Sequence, residues 1–268
     1  MIANSVETGL IEKFDATKID KNGRRTIKDS VAKTSILTIY VNGSEIVSLV
    51  CSPTCLDALA VGFLVSEGFL TSRDELGSVT IVEGRTYVAD VSMSVPHRVQ
   101  SASGRMLVTP GCGGGATFAN RLEDIGEFVP LPDAAFRRGA ILKCMRELGR
   151  KALLFRETGG VHTAALFSGN ELTRMAEDVG RHNALDKILG TAFLEGIEVA
   201  GSGVLTSGRL SVDAVMKALV RRIPLLVSRT APTSMAVQLA RRARLTLVGF
   251  ARGDRMNVYS AEERIVAG

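Results

Sequence analysis

The chain has 268 residues, 46% hydrophobic and 23% charged, ordinary globular proportions that exclude a disordered chain and supply one large or two small cores. Its first twenty residues, MIANSVETGLIEKFDATKID, lack the basic-then-apolar order of a secretory signal, and no run of about 18 uninterrupted apolar residues exists, so the chain reads as soluble and cytoplasmic, with no membrane role. The net charge of +5 points mildly to an acidic partner.

Residues 1–30 are polar and without periodicity, and are expected to form a loosely held arm. From Ser35 the runs SILTIYV and SEIVSLV flank Asn42-Gly43, a strong hairpin signal. Ser52-Pro53-Thr54 then predicts an N-cap and a first-turn proline, opening a helix that carries Cys55, Leu59, Gly62 and Phe63 and stops at Gly68. Strands near Val79–Val82 and Tyr87–Met93 complete a small α+β domain, taken as 31–128.

Residues 101–118, SASGRMLVTPGCGGGATF, hold five glycines. Glycine loses the most backbone entropy on ordering, so this stretch is expected to be a mobile loop. From Asp133 helical segments alternate with apolar runs: a helix over 133–156, a hairpin turning at Gly169-Asn170, helices near 181–194, 211–222 and 232–243, and strands near 203–206, 224–228 and 245–250. That alternation predicts an α/β layered sheet in a second domain, 129–268. The overall fold class is α/β (α+β overall).

In such sheets ligands bind beyond the carboxyl ends of the strands. There the sequence is polar: Glu177 through Asn183, then Ser207-Gly208-Arg209, then Arg229 to Ser234 with Thr230, then Phe250-Ala251-Arg252-Gly253-Asp254-Arg255. Three of these junctions open a helix, whose unbonded N–H groups favour anions, and Arg209, Arg229, Arg252 and Arg255 suit phosphate. The candidate ligand is a phosphate-bearing small molecule. His162 and His182 fall near the same edge, while His97 beside Pro96 is expected at the surface.

The four cysteines have no disulfide spacing. Cys51, Cys55 and Cys144 stand in apolar elements and are expected in the core. Cys112 differs, because a glycine loop cannot bury it, and an exposed thiol without a use is a liability. No metal is expected. The zinc-deaminase pattern needs His-x-Glu and Pro-Cys-x-x-Cys, whereas Ala164 stands two after His162, and Cys51 and Cys55 are poorly spaced across Pro53.

The blocks CLDALAVGFLVSEGFL, GCGGG, TGGVHTAAL, EDVGRHNALDK, TSGRLS, SRTAPTS and GFARGDRMNVY together resemble the formate dehydrogenase accessory family, FdhD. The resemblance implies a small N-terminal domain and a larger cytidine-deaminase-like domain without zinc. It implies a homodimeric sulfur carrier that takes sulfur from a cysteine desulfurase as a persulfide on Cys112. The sulfur would pass to the bis(molybdopterin guanine dinucleotide) form of the molybdenum cofactor, destined for formate dehydrogenase. The guanine nucleotide would be held by Phe250, Ala251, Arg252, Gly253, Asp254 and Arg255. Many relatives carry Cys-x-x-Cys in the loop, and here the second position is Gly115; a single persulfide still suffices, since transfer needs one nucleophilic sulfur. Three other readings stay open: a chaperone that holds the cofactor without covalent chemistry, a nucleotide hydrolase with Cys112 as nucleophile, and, weakest at 5% aromatics, a nucleic-acid binder.

Overall fold

The computed structural model describes residues 8–95, 106–108 and 130–267; Cys112, Gly115 and His97 lie outside them. The chain opens with a ten-pair antiparallel ribbon, β1 (Ile11–Asp20) with β2 (Gly23–Ala32). Much of the stretch expected to be a loosely held arm takes part in this ribbon. Paired backbones satisfy their own hydrogen bonds although the ribbon buries little, and Ser30 Oγ donates to Glu157 at 2.8 Å.

The smaller sheet has the order β5-β6-β3-β4-β7. The predicted hairpin, β3 (Ser35–Val41) and β4 (Ser44–Cys51), turns at Asn42-Gly43, both at positive φ. It is joined by β5 (Leu76–Glu83), β6 (Tyr87–Met93) and β7 (Met106–Val108). β7 interrupts the stretch expected to be all loop, because it finds a parallel partner in β4. Against this sheet lies α1 (Leu56–Ser66), buried at nearly every position, as a helix that is apolar all round must be.

The start of α1 departs from expectation. Cys55, not Ser52, is the cap; it is left-handed (φ 46°), makes no side-chain capping bond and is exposed. The reason is competition. Ser52 Oγ accepts from Val179 N at 3.1 Å, and Ser52 N donates to Asp178 Oδ2 at 3.0 Å, so the serine is held by the other half of the molecule. Cys51 and Cys144 are buried as expected.

The larger sheet has the order β10-β9-β11-β12-β13-β14, built from β9 (His162–Ser168), β10 (Glu171–Asp178), β11 (Gly203–Thr206), β12 (Leu225–Ser228), β13 (Thr246–Arg252) and β14 (Arg255–Ser260). A two-residue strand, β8 (Phe136–Arg137), precedes α2 (Arg138–Lys151) and α3 (Leu153–Thr158). α4 (Arg181–Glu195), α5 (Val212–Val220) and α6 (Ser234–Arg242) follow β10, β11 and β12. Strand residues alternate between two cores. Ala164, Leu166, Val204, Leu226 and Leu247 face α4, α5 and α6, while Ala165, Phe167, Leu205, Val227 and Val248 face α2. Layers on both faces explain why these strands read as continuous apolar runs. β14 was not predicted, and β15 (Ile265–Val266) pairs β8 at the end.

The halves meet where α1 crosses α4. An added Cβ at Gly62 would overlap the Asp186 carbonyl oxygen, and one at Gly190 would overlap that of Ala58, so backbone rests on backbone. Phe193 of α4 lies in the core of the smaller sheet. Among the described residues, no helix is long and apolar enough to cross a membrane.

Candidate functional site

β9 runs antiparallel to both β10 and β11, while β11, β12 and β13 are parallel. The carboxyl ends of β10, β11, β12 and β13 therefore share one edge with the start of β9. His162 pairs with Asp178 there, and Arg252 with Arg255. Every described residue singled out in the sequence as a ligand contact stands at this edge.

The edge has two sides. On the α2 side is a cavity of about 610 Å³ lined by Lys143, Met145, Arg146, Gly149, Arg150, Arg229, Ala251, Arg252 and Gly253. Five of these are cations and none is an acid. Lys143, Arg150, Arg229 and Arg252 make no side-chain hydrogen bond or ion pair among the described residues. Arg146 donates to the Gly253 carbonyl at 3.2 Å and stands 3.9 Å from the exposed Asp254. Arg229 Nη1 lies beside α2, in ordinary contact distance (3.5 Å) of where a Cβ on Gly149 would stand. Unpaired guanidiniums around a concave surface are suited to phosphate groups.

The sequence placed Arg229, Ala251, Arg252 and Gly253 at this edge; it missed Lys143, Arg146 and Arg150. Their signal was the spacing i, i+3, i+7 on a helix whose other face buries Ile141, Leu142, Met145 and Leu148. Thr230, Phe250, Asp254 and Arg255 sit on the same edge outside the cavity lining. Phe250 holds φ at 53°, uncommon for a bulky residue, with its N–H on the Thr230 carbonyl at 3.1 Å. Thr230 Oγ1 and Ser228 Oγ are 3.0 Å apart, a local contact at the end of β12.

On the α4 side stand His162, Ser207, Arg209 and His182. Ser207 Oγ accepts from Thr163 N at 2.9 Å and lies 3.5 Å from His162 Nδ1. Burial, then Arg181 and Arg209, lower the His162 pKa against the pull of Asp178. His182 Nε2 meets Ser211 Oγ at 3.0 Å and Asp213 at 3.7 Å. Burial first, then Lys217 and Arg181, push its imidazole from 6.5 down to about 3, so it is neutral at physiological pH. The unfolded chain therefore takes up this proton before the folded one. The stability tied to His182 is complete above pH 6.5 and is lost as pH falls toward 3, at about 1.4 kcal/mol per unit. Urea unfolding at pH 7.5 and pH 5 is expected to show a drop roughly 2 kcal/mol smaller in His182→Gln than in the parent; equal drops would refute it.

The long motif EDVGRHNALDK divides its labour. Glu177 accepts from the N–H groups of Leu154 and Phe155, both at 2.9 Å, capping α3. Asp178 pairs with Lys187 at 2.7 Å, both side chains fully buried. Asn183 Nδ2 donates to Asp178 and to the Val50 carbonyl, each at 2.9 Å. Lys187 also donates to the Ser52 carbonyl at 3.0 Å. Asp186 accepts from Ser66 Oγ at 2.5 Å and Lys217 Nζ at 2.7 Å. Most of the motif thus fastens one half to the other, and Arg181 and His182 turn to the edge.

The two buried thiols, Cys51 and Cys144, are poor nucleophiles. Burial, reinforced by Asp178, pushes Cys51 up to about 12, and burial raises Cys144, whose Sγ donates to the Asn170 carbonyl at 3.4 Å. Among the described residues, no three His, Cys, Asp or Glu side chains converge as metal ligands.

A model of the FdhD/NarQ family matches residues 32–266. The chain belongs to the FdhD/NarQ family. It is 37% identical over 249 residues to the sulfur carrier protein FdhD of Listeria monocytogenes, covering 89% of this chain and 92% of that one. The Bacillus subtilis sulfur carrier protein FdhD is 32% identical over 252 residues, covering 94% and 96%. A crystal structure described as a formate dehydrogenase accessory protein, from Desulfotalea psychrophila, superposes with a TM-score of 0.79 at 31% identity, covering 96% of this chain and all of that one. The FdhD/NarQ match excludes the first ribbon and takes in both sheets, so the edge and its cations lie within the shared fold.

Proposed function

We propose that the protein is a cytoplasmic sulfur carrier serving formate dehydrogenase, with Cys112 as the carrying thiol. Sulfur comes from a cysteine desulfurase and goes to bis(molybdopterin guanine dinucleotide) molybdenum cofactor, which the protein binds as cargo. The observation that carries the reading is the near full-length similarity to relatives named sulfur carrier proteins. The basic cavity supports the cargo class: its cations fit a polyanionic nucleotide, with Arg229, Ala251, Arg252 and Gly253 in its lining and Thr230, Phe250, Asp254 and Arg255 beside it on the same edge. The strand order of the larger sheet, with helices on both faces, supports a cytidine-deaminase-like descent in which the zinc is gone. Working as a homodimer belongs to the same reading.

The chemistry balances in two steps. The Cys112 thiolate attacks the outer sulfur of the desulfurase persulfide; that S–S bond breaks, the desulfurase cysteine leaves as thiolate, and a new S–S bond forms on Cys112 without net redox change. Delivery as a sulfide ligand consumes two electrons, drawn from the molybdenum or from two added thiols that leave as a disulfide, and restores the Cys112 thiolate.

The test is mass spectrometry after incubation with an active cysteine desulfurase and cysteine. One added sulfur is expected on the Cys112 peptide and none on that peptide in Cys112→Ala. Absence of the added sulfur in the parent protein would sink the carrier role and leave a cofactor-holding chaperone.

A further inference from the structure

The cavity does not account for all the unpaired positive charge at the site edge. On the opposite face of the sheet, Arg181 opens α4 and lies across Gly208, where an added Cβ would meet the Arg181 Cβ at 2.8 Å and its Cδ at 3.4 Å. Only a glycine lets that side chain settle there. The Arg181 Nε is buried with no hydrogen-bond partner among the described residues. Next to Gly208 is Arg209, exposed and without a side-chain hydrogen bond or ion pair among them. His162, on the neighbouring strand, touches Ser207 at 3.5 Å.

Of the carboxylates nearby, Asp178 is bonded to Lys187, Asn183 and the Ser52 and Gly180 N–H groups, while Asp213 stands 3.7 Å from the neutral His182 and its charge acts on Arg181. Burial, then Arg209, lower the Arg181 pKa, with Asp213 opposing, and the same two guanidiniums weigh on His162. Two cations that repel each other, one with a desolvated donor, are a costly arrangement that a bound anion relieves.

We propose that Arg181, Arg209 and His162 form a second anion-binding centre, on the α4 face of the sheet edge, that takes a phosphate-type group of the same polyanionic cargo. It rests on the reading that the cargo is a nucleotide carrying several phosphates. Arg209 follows β11 and Arg252 ends β13, with β12 between them, so along the edge alone two strand spacings, about 10 Å, separate the centres. A ligand with more than one pyrophosphate spans that distance, and the pair of centres would select it over a mononucleotide.

The full-length protein is titrated with inorganic pyrophosphate while the histidine ring protons are followed by NMR, the His162 signal being assigned with His162→Gln. Pyrophosphate is expected to raise the pKa of His162 by cancelling the two guanidiniums. Arg209→Met, a change at an exposed position that leaves the fold intact by circular dichroism, is expected to weaken binding at this reporter at least fivefold. Arg252→Met, in the cavity, is expected to leave it unchanged. A His162 signal that ignores pyrophosphate, or one that responds equally in Arg209→Met, overturns the proposal; so does a response lost only in Arg252→Met. Sulfur loading of Cys112 requires no phosphate, so failure here leaves the carrier reading standing, and failure there leaves this centre standing.

Discussion

Replacing Lys187 by Met is expected to destabilise the protein by about 3–5 kcal/mol, because it strands a buried carboxylate. Lys187 and Asp178 are both at 0% side-chain exposure, 2.7 Å apart. Without the ammonium, Asp178 keeps its bonds from Ser52 N, Gly180 N and Asn183 Nδ2, yet its charge has no counter-ion in a medium that screens poorly. The Ser52 carbonyl loses its 3.0 Å donor as well. Since a domain of this kind is stable by only about 5–15 kcal/mol, the variant is expected to unfold at much lower urea concentration. Adding Asp178→Asn should recover part of the loss, because the double variant buries no lone charge. A single-variant loss below about 1 kcal/mol would mean that the pair is not the fastening between the two halves.

Gly190→Ala is the second large effect, and its sign separates two physical arguments. Helix propensity favours alanine over glycine inside a helix by about 1 kcal/mol. Packing opposes it: the added methyl would overlap the Ala58 carbonyl oxygen of α1 and crowd Gly62 N at 2.7 Å. Those atoms are backbone, held by the helix itself, so nothing local can turn aside. The expected result is a loss of roughly 3 kcal/mol or more, beyond the usual range for overpacking because both helices must separate. Gly9→Ala, where an added Cβ meets nothing within 4 Å, is the control and should be near neutral. A more stable Gly190→Ala would show that the helices slide apart freely, and that the joint rests on the polar network alone.

Lys187 lies in EDVGRHNALDK, and Gly190 packs on Ala58 and Gly62 of CLDALAVGFLVSEGFL, which bears on how those blocks are read. EDVGRHNALDK looks like a catalytic signature because polar residues cluster at a strand-to-helix junction. Asp178, Asn183, Asp186 and Lys187 instead hold α4 against β4 and α1. Burying so many charged groups is tolerable only when each finds its partner, which restricts residue choice as tightly as chemistry does.

Several features were legible in the sequence itself because they depend on neighbours along the chain. Asn42-Gly43 and Gly169-Asn170 turn their hairpins where local φ preferences dictate. Apolar runs and amphipathic helices marked the larger sheet, and its parallel strands brought the polar junctions to one edge. What only the tertiary structure decided depends on residues far apart in sequence. Ser52 had the composition of a helix cap, but 126 positions separate it from the Asp178 that claims it. The first ribbon pairs although neither strand has a core to face, and β7 forms because β4 offers an open edge. Lys143, Arg146 and Arg150 read as the solvated face of a helix until packing set that face beside Arg229 and Arg252. A cation's spacing along a helix is written in the sequence; which other cations it must share space with is settled when the layers close.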